Sequence, residues 1–177
     1  MKPVAANGIR GSNVAMTLCF LRHASASDIA PSDAGRKLTK EGEEESRIAG
    51  AALAELGVKP AHIFSSPLVR ARQTAEIAAK ELRFSGDIEL LDELTNDTAT
   101  LALLKALRPY GDANELLLVG HMPSLAGHIA ACIGARAPGG LGLGKGAIAC
   151  VEMKELCAGA GTLRWLMRQK QLAKIAR

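Results

Sequence analysis

The chain has 177 residues, of which 48% are apolar, only 3% aromatic and 23% charged, with a formal net charge of +4. That length suits one domain whose core is filled by Ala, Leu, Ile and Val in place of rings. The charged fraction is ordinary for a globular protein, and no run approaches the ~20 apolar residues that a membrane span needs. Residues 1–13 carry Gly, Asn, Pro and Ser with no apolar centre, which excludes a secretory signal and predicts a flexible lead-in to a single domain over 14–177. Cys19, Cys132, Cys150 and Cys157 form no C-x-x-C pair, and three of them lie in apolar segments. They read as buried free thiols of a reducing compartment, with the cytoplasm as the expected location. Much of the positive excess sits at Arg164, Arg168, Lys170, Lys174 and Arg177. It reads as a solvated surface, with neither nucleic acid nor membrane expected as a partner.

The first predicted element is a strand over 16–21, an apolar run that stops abruptly at Arg22-His23. Residues 24–38 are rich in Ser, Asp, Ala and Pro without periodicity, and read as a loop over the strand end. Thr39 offers a helix N-cap and Glu41 suits the positive helix end. Ile48, Ala49, Ala52, Leu53 and Leu56 then recur at helical spacing, until Gly57 stops the helix. A short strand is expected over 61–65. Pro67 fits the first turn of a second helix with an apolar stripe of Leu68, Ala71, Ala75, Ala78 and Leu82. A third strand over 88–91, a helix over 98–107 ended before Pro109, and a strongly apolar strand over 116–119 follow. That strand closes on Gly120-His121, and a helix over 124–133 is stopped at Gly134. A Gly-rich loop (135–146) leads to a hairpin of strands over 147–153 and 162–167, and residues 169–177 form a weak tail. Strands alternating with helices argue an α/β sandwich with a largely parallel sheet and an antiparallel edge.

Three of these strands end in reactive groups. The first delivers Arg22-His23, the second Ser65-Ser66-Pro67 with Arg70 one turn on, and the third Gly120-His121 before Met122-Pro123-Ser124. A parallel sheet brings such ends to one rim, where α/β proteins bind ligands. Two arginines, two histidines and helix N-termini around one point suit a phosphoryl group. Arginine presents a planar, permanently charged fork that matches phosphate oxygens, helix N-termini supply free N–H groups, and a histidine can attack phosphorus. Phosphoryl transfer needs mainly positioning and neutralised equatorial oxygens.

Leu21-Arg22-His23-Ala24, then Ser65-Ser66-Pro67-Leu68-Val69-Arg70-Ala71-Arg72-Gln73-Thr74-Ala75, then Val119-Gly120-His121-Met122-Pro123 resemble the three signatures of the histidine phosphatase superfamily, in its order and at its usual separations. The resemblance implies a phosphoglycerate mutase-like three-layer sandwich, a mostly parallel central sheet flanked by helices, with an antiparallel edge hairpin. It implies that His23 is the nucleophile and that Arg22, Arg70 and His121 bind and stabilise the transferring phosphoryl group, with no cofactor and no metal. Within the superfamily the chain is similar to the small bacterial phosphohistidine phosphatases, the SixA type. Arg-His-Ala replaces the commoner Arg-His-Gly, Arg36-Lys37-Leu38-Thr39-Lys40-Glu41-Gly42 is similar to their Arg-x-Leu-Thr-x-x-Gly, and Gly161-Thr162-Leu163-Arg164-Trp165-Leu166 resembles their last strand.

Chain length adds a physical argument. Larger superfamily members carry an insertion that covers the site and supplies an acid. Here residues 83–115 leave little chain for a lid once one strand and one helix are built. An alkoxide leaving group needs a proton in the transition state, whereas the P–N bond of phosphohistidine is labile and its imidazole leaves more easily. The expected activity is therefore a metal-independent phosphatase that removes phosphate from phosphohistidine on signalling or phosphorelay proteins, through a covalent phosphohistidine enzyme. Its expected partners are a phosphorylated histidine-containing protein and, in the pocket, phosphate or another oxyanion; a monomer suffices. Candidate acids are Glu93 first, then Asp92 and Asp97. The alternatives are a small-molecule phosphomonoesterase of the same superfamily and a non-catalytic phosphohistidine-binding module. His62 and His128 read as structural or exposed. Gly139 to Gly146 fails as a P-loop, because Gly146 stands where Ser or Thr is required and the loop leads into a strand; it reads as a flexible loop that borders the cleft.

Overall fold

A computed structural model describes residues 15–176, so the expected lead-in over 1–13 lies outside the described residues. The strands β1 (Met16–Arg22), β2 (His62–Ser65), β3 (Ile88–Leu90), β4 (Glu115–Gly120), β5 (Ile148–Met153) and β6 (Gly161–Met167) form a six-stranded sheet in the order β3-β2-β4-β1-β5-β6. The first four of that order run parallel. β5 and β6 add the antiparallel edge, with β5 pairing β1 and β6 pairing β5. Helices α1 (Lys40–Glu55), α2 (Val69–Glu81) and α5 (Gln169–Ile175) cover one face, while α3 (Thr100–Leu107) and α4 (Ser124–Cys132) cover the other.

The central strands carry unbroken apolar runs, Leu18–Leu21 in β1 and Leu116–Val119 in β4, because both faces are covered. Leu18 and Phe20 of β1 pack with Leu103, Leu107 and Ile129 on the α3/α4 side. Cys19 and Leu21, pointing the opposite way, pack with Leu53, Ala71 and Ala75 on the α1/α2 side. β4 divides in the same manner, Leu116 and Leu118 to one face and Leu117 and Val119 to the other. Small residues let α1 and α2 approach closely: a Cβ built on Gly50 would stand 2.7 Å from Ala78 O. Thr39 caps α1 as expected, its hydroxyl accepting from Gly42 N at 3.1 Å.

Three expectations need correction. Pro67 is not in the first turn of α2; the helix starts at Val69 with Leu68 as N-cap, and Ser66 Oγ takes Leu68 N instead. Residues 169–175 are a helix and not a weak tail. Less than two turns carry too little periodicity to be read from sequence, but Leu172 is fully buried against the α1/α2 layer and Gln169 Nε2 donates to Glu45 O and Gly146 O. Nor are the four cysteines all buried free thiols. Cys19 and Cys150 are disulfide-bonded, while Cys132 is free and buried and Cys157 free and exposed. The antiparallel β1/β5 register sets Cys19 directly opposite Cys150 across 131 residues of sequence, which no local spacing could reveal.

Gly42, in the first turn of α1, lies against the backbone just after the Arg-His pair. A Cβ there would stand 1.9 Å from Ser25 O and 2.9 Å from its carbonyl carbon. Gly42→Ala must therefore displace backbone, and we expect a loss of about 1–3 kcal/mol in unfolding free energy, read from denaturant midpoints at unchanged slope.

Candidate active site

Strand register builds the site. Leu21 of β1 and Ser65 of β2 both pair with Val119 of β4, so the three strands end level. Arg22-His23, Ser66 and Gly120-His121 therefore leave the sheet side by side at its carboxyl rim. Arg70, buried in the first turn of α2, enters the same space.

His23 Nδ1 lies 2.8 Å from Ala24 O. A carbonyl oxygen only accepts, so the ring proton belongs on Nδ1 and the lone pair on Nε2. Arg70 Nε donates to that Nε2 at 3.3 Å. The His121 ring faces His23 with centroids 4.9 Å apart, and its Nε2 is 2.8 Å from Ser66 Oγ. Two buried polar atoms at this rim, His121 Nδ1 and Arg22 Nε, have no protein partner. Such atoms are costly unless something bonds them, and oxygens of a tetrahedral anion meet that need.

Burial pushes His23 down to about 4, and the charges of Arg70, Arg22 and Lys145 push the same way against the support of Ala24 O. Burial likewise pushes His121 down to about 3, with His23 and Arg70 next in weight. Both rings are neutral at pH 7, so His23 Nε2 carries a lone pair, which accepts from Arg70. The linkage has a definite sign. Between pH 6.5 and about 4 the unfolded chain binds protons that these folded imidazoles refuse. Stability is therefore full above pH 6.5 and is lost as pH falls through that window. Melting temperatures should drop from pH 7 to pH 4, and less steeply in His23→Asn than in the unmodified chain.

Further contacts hold the cluster. Ala24 N donates to Thr74 Oγ1 at 3.1 Å and Thr74 Oγ1 donates to Arg70 O at 2.7 Å, so one buried hydroxyl joins the segment after His23 to the helix carrying Arg70. Glu45 of α1 accepts Ser25 N at 2.7 Å, and its charge supports the Arg22 guanidinium, whose pKa burial lowers. The Gly-rich loop borders the site as expected: Arg22 Nη1 donates to Leu143 O at 2.8 Å and Gly146 N to Arg22 O at 3.2 Å. Asp33, from the aperiodic loop between β1 and α1, takes Arg70 Nη1 on its backbone oxygen at 2.7 Å and Nη2 on its carboxylate at 3.0 Å.

A profile of the histidine phosphatase superfamily (branch 1) matches residues 18–97. The phosphohistidine phosphatase SixA of Escherichia coli is 35% identical over 157 residues, 86% of this chain and 93% of that protein. The chain belongs to the histidine phosphatase superfamily. An uncharacterised protein of Picosynechococcus is 41% identical over 114 residues, 62% of this chain and 68% of the relative. Among solved structures, SixA complexed with tungstate superposes with a TM-score of 0.82 at 29% identity, covering 89% of this chain and 99% of that one. The phosphoglycerate mutase-like sandwich with its antiparallel edge is thus the fold of this superfamily member.

All four residues assigned from the superfamily motifs, Arg22, His23, Arg70 and His121, meet at this rim. The candidate acids do not join them by any hydrogen bond or ion pair among the described residues. Asp92 and Glu93 lie in a 3-10 turn (Asp92–Leu94) beside the end of β4, where Leu94 O would stand 2.8 Å from a Cβ on Gly120. Asp97 N is bonded to Ser124 Oγ at 3.0 Å. The carboxylate in contact with the cluster is Asp33, which sequence reading missed together with Thr74, Glu45 and Lys145. The sole hint for Asp33 was its place in an acidic loop ahead of Arg36. His62 and His128 lie elsewhere, His62 half-buried beside Glu89 and His128 buried against Thr100 Oγ1 at 3.0 Å. Among the described residues no three His, Cys, Asp or Glu side chains are grouped to hold a metal ion.

Proposed function

We propose that this protein is a phosphohistidine phosphatase working without a metal, with His23 as nucleophile and Arg22, Arg70 and His121 as its phosphoryl clasp. The observation that carries the reading is the tautomer of His23. Its Nδ1–H donates to Ala24 O, so an in-plane lone pair remains at Nε2, beside the Arg70 guanidinium, to face phosphorus. Nε2 attacks phosphorus, the P–N bond of the substrate breaks with its electron pair on the departing imidazole, and water protonates that nitrogen. The enzyme then carries the phosphoryl group on Nε2. A water attacks phosphorus on the return step, the enzyme's P–N bond breaks, and inorganic phosphate leaves. Two guanidinium groups neutralise the equatorial oxygens throughout, and the neutral His121 ring offers them its unpartnered Nδ1 as a hydrogen-bond donor, an arrangement of preorganised charge and dipole that favours phosphoryl transfer.

Substrate choice rests on chain economy as well. The segment between α2 and β4 is spent on β3, α3 and two 3-10 turns, leaving no helical cover over the rim among the described residues. An open rim admits a phosphorylated side chain on another protein's surface. The test is competition under equal conditions between a phosphorylated histidine-containing protein and a panel of sugar phosphates, with and without EDTA. We expect the phosphoprotein to be preferred and EDTA to change nothing. Preference for a sugar phosphate would transfer the same chemistry to a small-molecule phosphomonoesterase.

A further inference from the structure

We propose that Asp33 sets the charge of the leaving group this site accepts, favouring a phosphoryl donor whose departing group is cationic over one that carries a carboxylate. The inference rests on the phosphoryl-transfer reading above and names its selectivity.

The Arg70 guanidinium is divided between two duties. Its two terminal nitrogens are held by Asp33, Nη1 on the backbone oxygen at 2.7 Å and Nη2 on Oδ2 at 3.0 Å. Its inner edge, Nε with the second Nη2 proton, faces His23 Nε2. An arginine fork has five N–H donors, so both edges can be used at once. A phosphoryl group on His23 therefore leaves Asp33 in place, one guanidinium away from the reacting nitrogen. The Asp33 side chain is 65% exposed while that of Arg70 is 7% exposed, which puts the carboxylate on the solvent side of the pocket, where a leaving group departs.

The loop keeps Asp33 there. Ala34 O accepts Val69 N from the start of α2 at 3.2 Å, and Arg36 donates to Ser27 O at 2.7 Å and to Asp33 Oδ1 at 3.3 Å. Hydrogen bonds from Arg70 and Arg36 hold the Asp33 carboxyl below the usual carboxylate range, so it stays anionic and is no proton donor. The charges acting on His23 are all cationic, Arg70, Arg22 and Lys145, and serve the phosphoryl oxygens. Negative charge reaches the cluster from Asp33, which acts on His121, and from Glu45, which acts on Arg22; of the two, Asp33 is the one hydrogen-bonded to Arg70. A departing imidazole that takes a proton becomes an imidazolium and is attracted to Asp33. A small phosphate ester bearing a carboxylate is repelled.

The test compares unmodified protein with Asp33→Asn, which retains the backbone oxygen on Nη1 and an amide oxygen for Nη2. Two aryl phosphates serve as substrates, one with a para-trimethylammonium group and one with a para-carboxylate, beside a phosphohistidine peptide. Asp28→Asn is the control, since Asp28 lies on the same loop but touches Arg36. Taking variant over unmodified protein cancels the intrinsic reactivity of each ester. Reversing a unit charge near a unit charge at a solvated site predicts a shift of about tenfold in the kcat/KM ratio toward the carboxylate ester. Asp28→Asn should leave the ratio unmoved. Equal losses on both esters, or no change on either, overturn the proposal, because Asp33 would then only orient Arg70 or do nothing. If the aryl ratio shifts while the phosphohistidine peptide is never hydrolysed, charge selection stands and the phosphohistidine reading falls. If the unmodified protein turns over none of the three substrates, both fall.

Discussion

His23→Ala is expected to lower phosphate release from a phosphorylated histidine-containing protein at least about a thousandfold, since removing a nucleophile leaves only what binding and charge complementarity supply. The two imidazoles are held differently. His121 Nε2 is engaged by Ser66 Oγ, whereas His23 Nε2 meets no carbonyl or hydroxyl and only the guanidinium of Arg70. The same variant should lose the covalent intermediate. Protein exposed to labelled substrate and quenched in alkali, where phosphohistidine survives, should retain label in the unmodified chain and none in His23→Ala. A variant keeping more than a tenth of the activity would remove the covalent route.

Arg70→Ala should cost about 10²–10³ in kcat/KM, the range for removing one preorganised donor from a developing anion. The loss has two sources that can be separated. The inner edge of the fork no longer meets the phosphoryl oxygens, so competitive inhibition by inorganic phosphate or tungstate should weaken. The Asp33 loop also loses two hydrogen bonds, so proteolysis within 27–38 should quicken. Arg70→Lys restores a charge without the planar fork. It should recover part of the oxyanion affinity yet stay at least about tenfold below the unmodified protein in kcat/KM. Full recovery by lysine would mean that charge alone matters at this position.

The four assigned side chains were legible because each sits within a local pattern: an apolar run ending in Arg22-His23, a strand followed by Arg70 one helical turn on, and a strand ending in Gly120-His121. Chain order and β1/β4/β2 register then do the rest. The partners that tune them were not legible in the same way. Thr74 meets Ala24 across 50 residues and Asp33 meets Arg70 across 37, and a loop without periodicity advertises no direction for its side chains. The candidate acids drawn from the acidic stretch of Asp92, Glu93 and Asp97 were plausible by composition. Among the described residues they make no hydrogen bond or ion pair with the cluster, and the carboxylate hydrogen-bonded to it is Asp33.

The sequence by itself determined the alternation of strands and helices, the two-sided burial of β1 and β4, and the identity of the residues that gather at the rim, because apolar periodicity and strand ends are local properties of the chain. Tertiary structure alone decided that Cys19 meets Cys150, that residues 169–175 form a helix over α1, and that Asp33 claims the outer end of Arg70. Each of these depends on which distant segments share a sheet or a surface, and pairing at that range is fixed by packing of the whole domain and not by any short stretch of it.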